Sequence, residues 1–385
     1  MTEETEMKKI AIIGANDFQN PLILKAKEMG YETHVFAWRE GAPGEETADY
    51  FYPISIVERE KILEECRRIR PAAVISIGSD LAMLTVNYVA GELGLVCNSM
   101  ESTRISTNKY AMRTTFSEAG IPTPGFRCVG VAAKAEELEA LSLPVIVKPT
   151  DRSGSRGVTR LDSWEGFSEA VRNAVENSFE KKAIVEEYLP GEEYSCECIS
   201  FQGRHQLLAV TKKYTTGAPH FIETGHLEPA QLSEEELETI QTNVFRALDA
   251  LEIRYGASHT EFKLDRGGIR IIETGARMGG DCIGSDLVRL STGYDYVRMV
   301  IDVAAGRRPE LIRTGEKKAA YIHFIFSERD LELLERLRRE IPEKIEFVSR
   351  LQTVKEGQVT DSSRRFGYFI LAFDDLSQAK EYLSL

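Results

Sequence analysis

The chain has 385 residues, 42% hydrophobic and 28% charged, with a formal net charge of −13 and a pI of about 5.2. This is the composition of a soluble globular protein of two or three domains. The acidic balance excludes nucleic acid as a main partner, because phosphate contacts need a basic face. No apolar run approaches the length of a membrane span.

The acidic and then basic N-terminus runs straight into Ile10-Ala11-Ile12-Ile13. There is no secretory apolar region, so a cytoplasmic protein is expected. The six cysteines, Cys66, Cys97, Cys128, Cys196, Cys198 and Cys282, fit no zinc spacing and read as small hydrophobes.

Residues 8–105 alternate strand and helix signals, the pattern of a parallel α/β sheet. Strands are expected over 9–13, 32–37 and 72–77, and helices over 21–29, 58–70 and 81–93. The first turn, Gly14-Ala15-Asn16-Asp17, lacks the G-x-G-x-x-G spacing of dinucleotide binding. It still lies at the carboxyl end of a strand, where small ligands dock in such sheets. Ser79 and Asp80 hold a similar place and read as the cap of the next helix.

A helix over 107–119 ends at Gly120-Ile121-Pro122, a helix stop. Strands over 145–148, 183–187 and 194–201 then flank a helix over 164–177, as in a separate α+β lobe. A larger α+β lobe covers 206–304. The tail over 319–385 carries a strand, a charged helix and two more strands. The expected domains are 1–105, 106–205 and 206–385.

Lys148 closes the strand Val145-Ile146-Val147-Lys148 and leads into Ser153-Gly154-Ser155-Arg156-Gly157. Glycines let backbone N–H groups approach an anion, and serine hydroxyls add donors. The lysine precedes the glycines, so this is not a Walker A loop. An apolar strand then ends in an acidic bend at Glu186-Glu187-Tyr188-Leu189. Exposed backbone there can meet a purine edge, and Glu193 can accept from ribose hydroxyls.

Glu261 and Glu273 each interrupt a β-branched or apolar run, with Asp265-Arg266-Gly267-Gly268 as a hairpin turn between them. They are twelve residues apart, an even number, so the right register puts both carboxylates on one face. Two such carboxylates repel unless a cation sits between them, and hard oxygens suit Mg²⁺ shared with phosphates. Arg277 lies four residues on, where it can counter an anion.

Taken in order, Lys109, Lys148, the Ser153–Gly157 loop, Glu186, Glu187, Leu189, Glu193, Glu261, Glu273 and Arg277 resemble the ATP-grasp superfamily over nearly the whole chain. The resemblance implies an N-terminal Rossmann-like parallel domain followed by a two-lobed module that clamps ATP. It gives Lys109, Lys148 and the loop (Ser153, Gly154, Ser155, Gly157) to the phosphates. Glu186, Glu187 and Leu189 go to adenine, Glu193 to ribose, and Glu261 and Glu273 to Mg²⁺, with Mn²⁺ as an alternative. One departure stands out. The family pattern E-x-N has Gly275 in place of Asn, so water or another side chain completes the metal shell, or one ion is held.

Within the superfamily, Glu273-Thr274-Gly275-Ala276-Arg277-Met278-Gly279-Gly280-Asp281 resembles the carboxylate–amine ligase branch. Pro219-His220-Phe221-Ile222-Glu223-Thr224-Gly225-His226 resembles that branch's substrate-lining stretch. The implied activity makes an acyl phosphate from a carboxylate and passes it to an amine. Arg277 would hold the carboxylate, and Glu223 or His226 the ammonium. The partners are small-molecule substrates, and a homodimer is left open. The rival readings are a bicarbonate-phosphorylating or carbamoyl-phosphate-type enzyme, a non-catalytic ATP-binding regulator, and a nicotinamide oxidoreductase. The two glutamates and two lysines argue against the regulator, and the missing glycine fingerprint argues against the oxidoreductase.

Overall fold

The computed structural model describes residues 7–218, 221–355, 357, 359 and 361–383. Strands β1 (Lys9–Ile13), β2 (Glu32–Phe36), β3 (Tyr50–Tyr52) and β4 (Ala73–Ile75) pair in parallel in the order β3-β2-β1-β4. Side chains alternate faces along a strand, so β1 feeds two cores. Ile10 and Ile12 pack with Leu22 and Ile23 of helix α1 (Asn20–Glu28). Ala11 and Ile13 pack with Ile62 and Cys66, and with Val86 and Val89. These belong to helices α3 (Arg59–Ile69) and α4 (Asp80–Glu92); the short α2 (Gly44–Thr47) precedes β3. Ser79 caps α4, accepting from the Ala82 N–H at 3.2 Å. The short edge strand β3 was not expected, being three residues long.

The helix expected over 107–119 is α6 (Lys109–Glu118), and an unexpected helix, α5 (Met100–Thr107), precedes it. Asn108 breaks them. Its backbone is extended, and its side chain accepts from the Ala111 N–H at 3.0 Å, satisfying one of the unpaired donors of a helix start.

A small antiparallel sheet follows, in the order β5 (Phe126–Val129), β8 (Ala183–Glu187), β6 (Val145–Pro149), β7 (Thr159–Leu161). Helix α7 (Phe167–Asn177) covers it, and Val171 and Ala174 meet Val145 and Val147 in a core of its own.

The remaining strands make one eight-stranded sheet. They are β9 (Glu192–Phe201), β10 (Arg204–Thr215), β11 (Glu223–Glu228), β12 (Tyr255–Asp265), β13 (Gly268–Gly275), β14 (Ala319–Phe324), β15 (Ile345–Val348) and β16 (Tyr368–Phe373). Their order is β13-β12-β9-β10-β11-β14-β16-β15. Two expectations change here. The strand over 194–201 pairs with β10 and β12 rather than with the small sheet, so the expected boundary at 205 falls inside the β9–β10 hairpin. The tail strands extend this same sheet instead of forming a separate piece.

Helix α8 (Glu234–Ala250) backs the sheet, the short α9 (Val288–Thr292) follows β13, and α10 (Tyr296–Ala304) joins the sheet to the N-terminal domain. Val297, Val300 and Ile301 of α10 share one core with Ile10, Ile75, Ile199 and Ala257. Among the described residues no helix is long and apolar enough to cross a membrane.

Candidate active site

The β12–β13 hairpin sets Glu261 directly opposite Glu273. On the other side of β12, Ser195 pairs with Glu261 and Glu193 with Lys263. Thr211 of β10 pairs with Ser195. Side chains directly opposite share a face, so Glu273, Glu261, Ser195 and Thr211 form a row across four strands. Like charges opposite one another are destabilising unless neutralised. Here Lys213 Nζ lies 2.6 Å from Glu261 Oε1, and Lys109 Nζ donates to Glu273 Oε1 at 2.8 Å.

Burial works against the Lys213 ammonium, yet Glu261, Glu193 at 3.2 Å and Glu223 at 3.8 Å hold it above its ordinary pKa. His259 bridges Glu197 and Glu261. Burial disfavours its charge, but Glu197 raises its pKa to about 9. The Glu197 carboxylate also accepts from the Gly279 N–H at 2.9 Å.

Lys148 is buried at the end of β6. Burial pulls its pKa down and Glu186 pulls it back up. Glu186 Oε2 lies 2.6 Å from Lys148 Nζ, and its Oε1 lies 2.6 Å from Nε of the fully buried Arg113. Burial raises the Glu186 carboxyl's pKa, but Arg113 and Lys148 hold it below its ordinary value. The Glu186 side chain is therefore the counter-charge of Lys148, and only backbone of this bend is left for a purine edge. At the bend, the N–H groups of Glu187 and Tyr188 already donate to the carbonyls of Gly125 and Pro144. The Glu187 carboxylate accepts from the Ser142 N–H at 2.9 Å.

In the loop after β6, Gly154, Ser155 and Gly157 have φ of 73°, 58° and 68°. A left-handed backbone costs little only at glycine, and such turns aim successive N–H groups at one point. These parts converge on a cleft of about 1140 Å³, open to solvent. It is lined by Lys109, Lys148, the loop, Glu186–Leu189, Glu193, Glu261, Glu273 and Arg277. Of the sequence-predicted residues, Gly157 and His226 lie outside this lining, while Glu223 belongs to it.

Arg277 does not stand free. Its Nε donates to Asp80 Oδ1 at 2.9 Å and its Nη2 to Asp80 Oδ2 at 2.8 Å. Burial opposes the guanidinium charge, and Asp80 more than restores it. This bidentate pair takes up Nε and Nη2, while Nη1 donates to the Met278 carbonyl at 3.4 Å. It also explains Gly275. A Cβ there would meet Asp80 Oδ1 at 2.8 Å and Arg277 Nε at 3.1 Å, so the N-terminal domain's carboxylate fills the space where the family has Asn.

Glu223 and His226 belong to a second charged group. The Glu223 carboxylate accepts from Arg365 Nη2 at 2.7 Å and from Ser362 Oγ at 2.8 Å. Arg365 Nη1 also donates to Asp281 at 2.8 Å. His226 is buried with Nε2 at 3.6 Å from Asp281. Its Nδ1 has no partner among the described residues, and burial lowers its pKa. Pro219 and His220 lie outside the described residues.

Lys213, Arg113, His259, Glu197 and Arg365 were missed, and Asp80 was read as part of a helix cap. Strand parity offered Lys213, two residues from Thr211, and His259, two residues from Glu261. The others need distant partners. The carboxylate pair fits Mg²⁺, which keeps waters and binds through one or two carboxylates plus phosphates. Among the described residues no third His, Cys, Asp or Glu joins them into a protein-only cage.

Residues 141–286 match the family model of the ATP-grasp domain. The chain carries an ATP-grasp domain over these residues. Its ATP-grasp domain spans the lysine, loop, hinge and carboxylate pair just described. Among curated proteins, the chain is 25% identical to alanine--anticapsin ligase of Bacillus subtilis (strain 168) over 291 residues, 66% of this chain and 61% of that one. It is 30% identical to formate-dependent phosphoribosylglycinamide formyltransferase of Synechococcus sp. (strain WH7803) over 190 residues, 47% of this chain and 48% of that one. The chain thus spans about half to three-fifths of these relatives. Among solved structures, L-amino acid ligase from Bacillus licheniformis shares the fold with a TM-score of 0.82 at 23% identity, covering 98% of this chain and 96% of that one.

Proposed function

We propose that the chain is a cytoplasmic ATP- and Mg²⁺-dependent ligase that activates a carboxylate, that of an amino acid, as an acyl phosphate. The acyl group then passes to an amine, with release of ADP and phosphate. The observation that carries this reading is the convergence of Glu261, Glu273, Lys109, Lys148, Lys213 and Arg277 on one cleft. The relatives named for ligase activity and the ligase-like fold support it.

Both the terminal phosphoryl of ATP and the attacking carboxylate are anions, and their approach is the electrostatic barrier to overcome. Lys109, Lys148 and the loop N–H groups neutralise the phosphates. Glu261 and Glu273 would hold Mg²⁺, which when bound supplies further neutralisation. Arg277, fixed through its Nε and Nη2 by Asp80, sets its positive charge beside the acyl phosphate. Glu193 and the Leu189 backbone face the ribose and purine. Glu223, which lines the cleft, or His226 through its Nδ1, unpartnered among the described residues, would position the ammonium nucleophile or take the proton it loses.

Hydroxylamine tests the reading without knowledge of the natural amine, because it displaces phosphate from an acyl phosphate to leave a hydroxamate. With ATP, Mg²⁺ and a panel of amino acids, ADP formation and hydroxamate should rise together. ATP cleavage stimulated by bicarbonate alone would instead favour the bicarbonate-phosphorylating rival. Absence of ATP cleavage with either would leave the non-catalytic ATP-binding regulator.

A further inference from the structure

A second cavity, of about 2240 Å³ open to solvent, lies between the carboxyl ends of the N-terminal strands and the glycine-containing loop. It shares Lys109, Arg152, Ser153, Arg156 and Glu273 with the nucleotide cleft. A group seated at this junction therefore touches the phosphate end of the first cleft.

Most polar groups of this cavity are already committed. Asp80 holds Arg277, and Glu101 holds Arg104 at 2.6 Å. Asn108 donates to Glu180 at 2.8 Å. Asp151 accepts from the N–H groups of Phe179 and Glu180. Gln19 donates to the Ile77 carbonyl at 3.1 Å. The Arg152 guanidinium stacks on Phe179 at 4.5 Å. One cation stands apart. No described residue makes an ion pair or hydrogen bond with the exposed Arg156 side chain, which lines both cavities.

The rest of the wall is apolar. Val57, Met100 and Phe179 are 57%, 41% and 60% exposed, and Leu81 and Leu84 of α4 are half-buried beside them. Four separate chain segments thus converge on one cavity with uncovered apolar side chains. Apolar groups gathered in a concave, polar-rimmed site mark a ligand surface.

From this arrangement we infer that the cavity seats the carboxylate substrate, and that this substrate is amphipathic. Its carboxylate lies at the Arg156 and Lys109 junction, and an apolar group larger than a methyl lies against Val57, Leu84, Met100 and Phe179. The inference rests on the ligase reading and narrows its substrate to acids with an extended apolar side.

The hydroxamate assay tests it with alanine, 2-aminobutyrate, norvaline, norleucine and phenylalanine against serine, glutamine and aspartate. kcat/KM should rise along the aliphatic series by up to roughly fourfold per methylene buried. Met100→Asp and Val57→Asp alter exposed positions that tolerate substitution. Each should lower the norleucine-to-alanine ratio of kcat/KM at least about tenfold with Tm unchanged. Arg156→Ala should raise KM for every acid by a common factor. Polar acids turned over as well as apolar ones, or a ratio unmoved in both aspartate variants, overturns the inference and leaves the ligase reading standing. No hydroxamate from any acid overturns the ligase reading and this inference with it.

Discussion

Gly275 holds its place because the Asp80–Arg277 pair occupies the space a side chain would take. Gly275→Asn should push the pair apart and lower carboxylate activation on the order of 10- to 100-fold. In an Asp80→Ala background the asparagine has room, and the further loss should be less than about threefold. Additive losses in that double-mutant cycle would break the argument. Glu228 makes a separate prediction. It is fully buried, with Thr211 Oγ1 and Ser291 Oγ each donating to its carboxylate at 2.5 Å. Burial pushes its pKa to about 7, against 4.5 for an ordinary glutamate. Between those values the folded chain keeps a proton that the unfolded chain has released. Stability therefore falls as pH rises from 4.5 to about 7, by on the order of 3 kcal/mol, and is flat on either side. Glu228→Gln should remove that slope, raising Tm relative to the parent at pH 8 and leaving it little changed at pH 4.5. Parallel Tm profiles would refute it.

At the scale of elements, the α5–α6 break seats a functional lysine. Asn108 ends one helix and caps the next, so Lys109 begins α6 with its ammonium directed at Glu273 and the Arg152 carbonyl. Asn108→Ala removes the cap and the contact to Glu180. Chemical denaturation should report a loss of about 1 kcal/mol, and calorimetry a severalfold weaker affinity for ATP. Full retention of ATP affinity would mean that the cap does not position Lys109. The expected helix began at 107 rather than 109 because an asparagine inside a helix looks like one in a cap. The hairpin was legible for the opposite reason. Its turn residues and alternating strands are local signals, but the turn register that pairs Asp265 with Gly268 would set Glu261 opposite Ile272, and only a bulge between Glu261 and Phe262 brings Glu273 opposite it.

For the whole molecule, the cores say which parts move together. The N-terminal sheet and the eight-stranded sheet share one core through α10, whereas the small sheet over 126–187 has its own. Hydrogen exchange should therefore find β1 and β12 opening with similar free energies and β5–β8 opening at a lower one. Binding of ATP with Mg²⁺ should protect β6, β8 and the loop most, since they close the cleft. Equal protection of all three sheets without nucleotide would count against an independent lobe. The expected boundary at 205 failed at this scale. A strand's existence is written in its own residues, but its neighbours are chosen by contacts far along the chain.

What the sequence determined by itself was the chemistry carried by short spacing. The carboxylate pair, the lysine before its glycine-containing loop and the acidic bend each fit within a single strand, turn or hairpin, and geometry inside such elements is fixed by backbone period. What only the tertiary structure decided was which charge balances which. Asp80 and Arg277 are 197 residues apart, Glu223 and Arg365 are 142 apart, and Arg113 finds Glu186 across two lobes. The role of a buried ion is set by the opposite charge that folding brings within a few ångströms. That partner is chosen by packing, which no local pattern records.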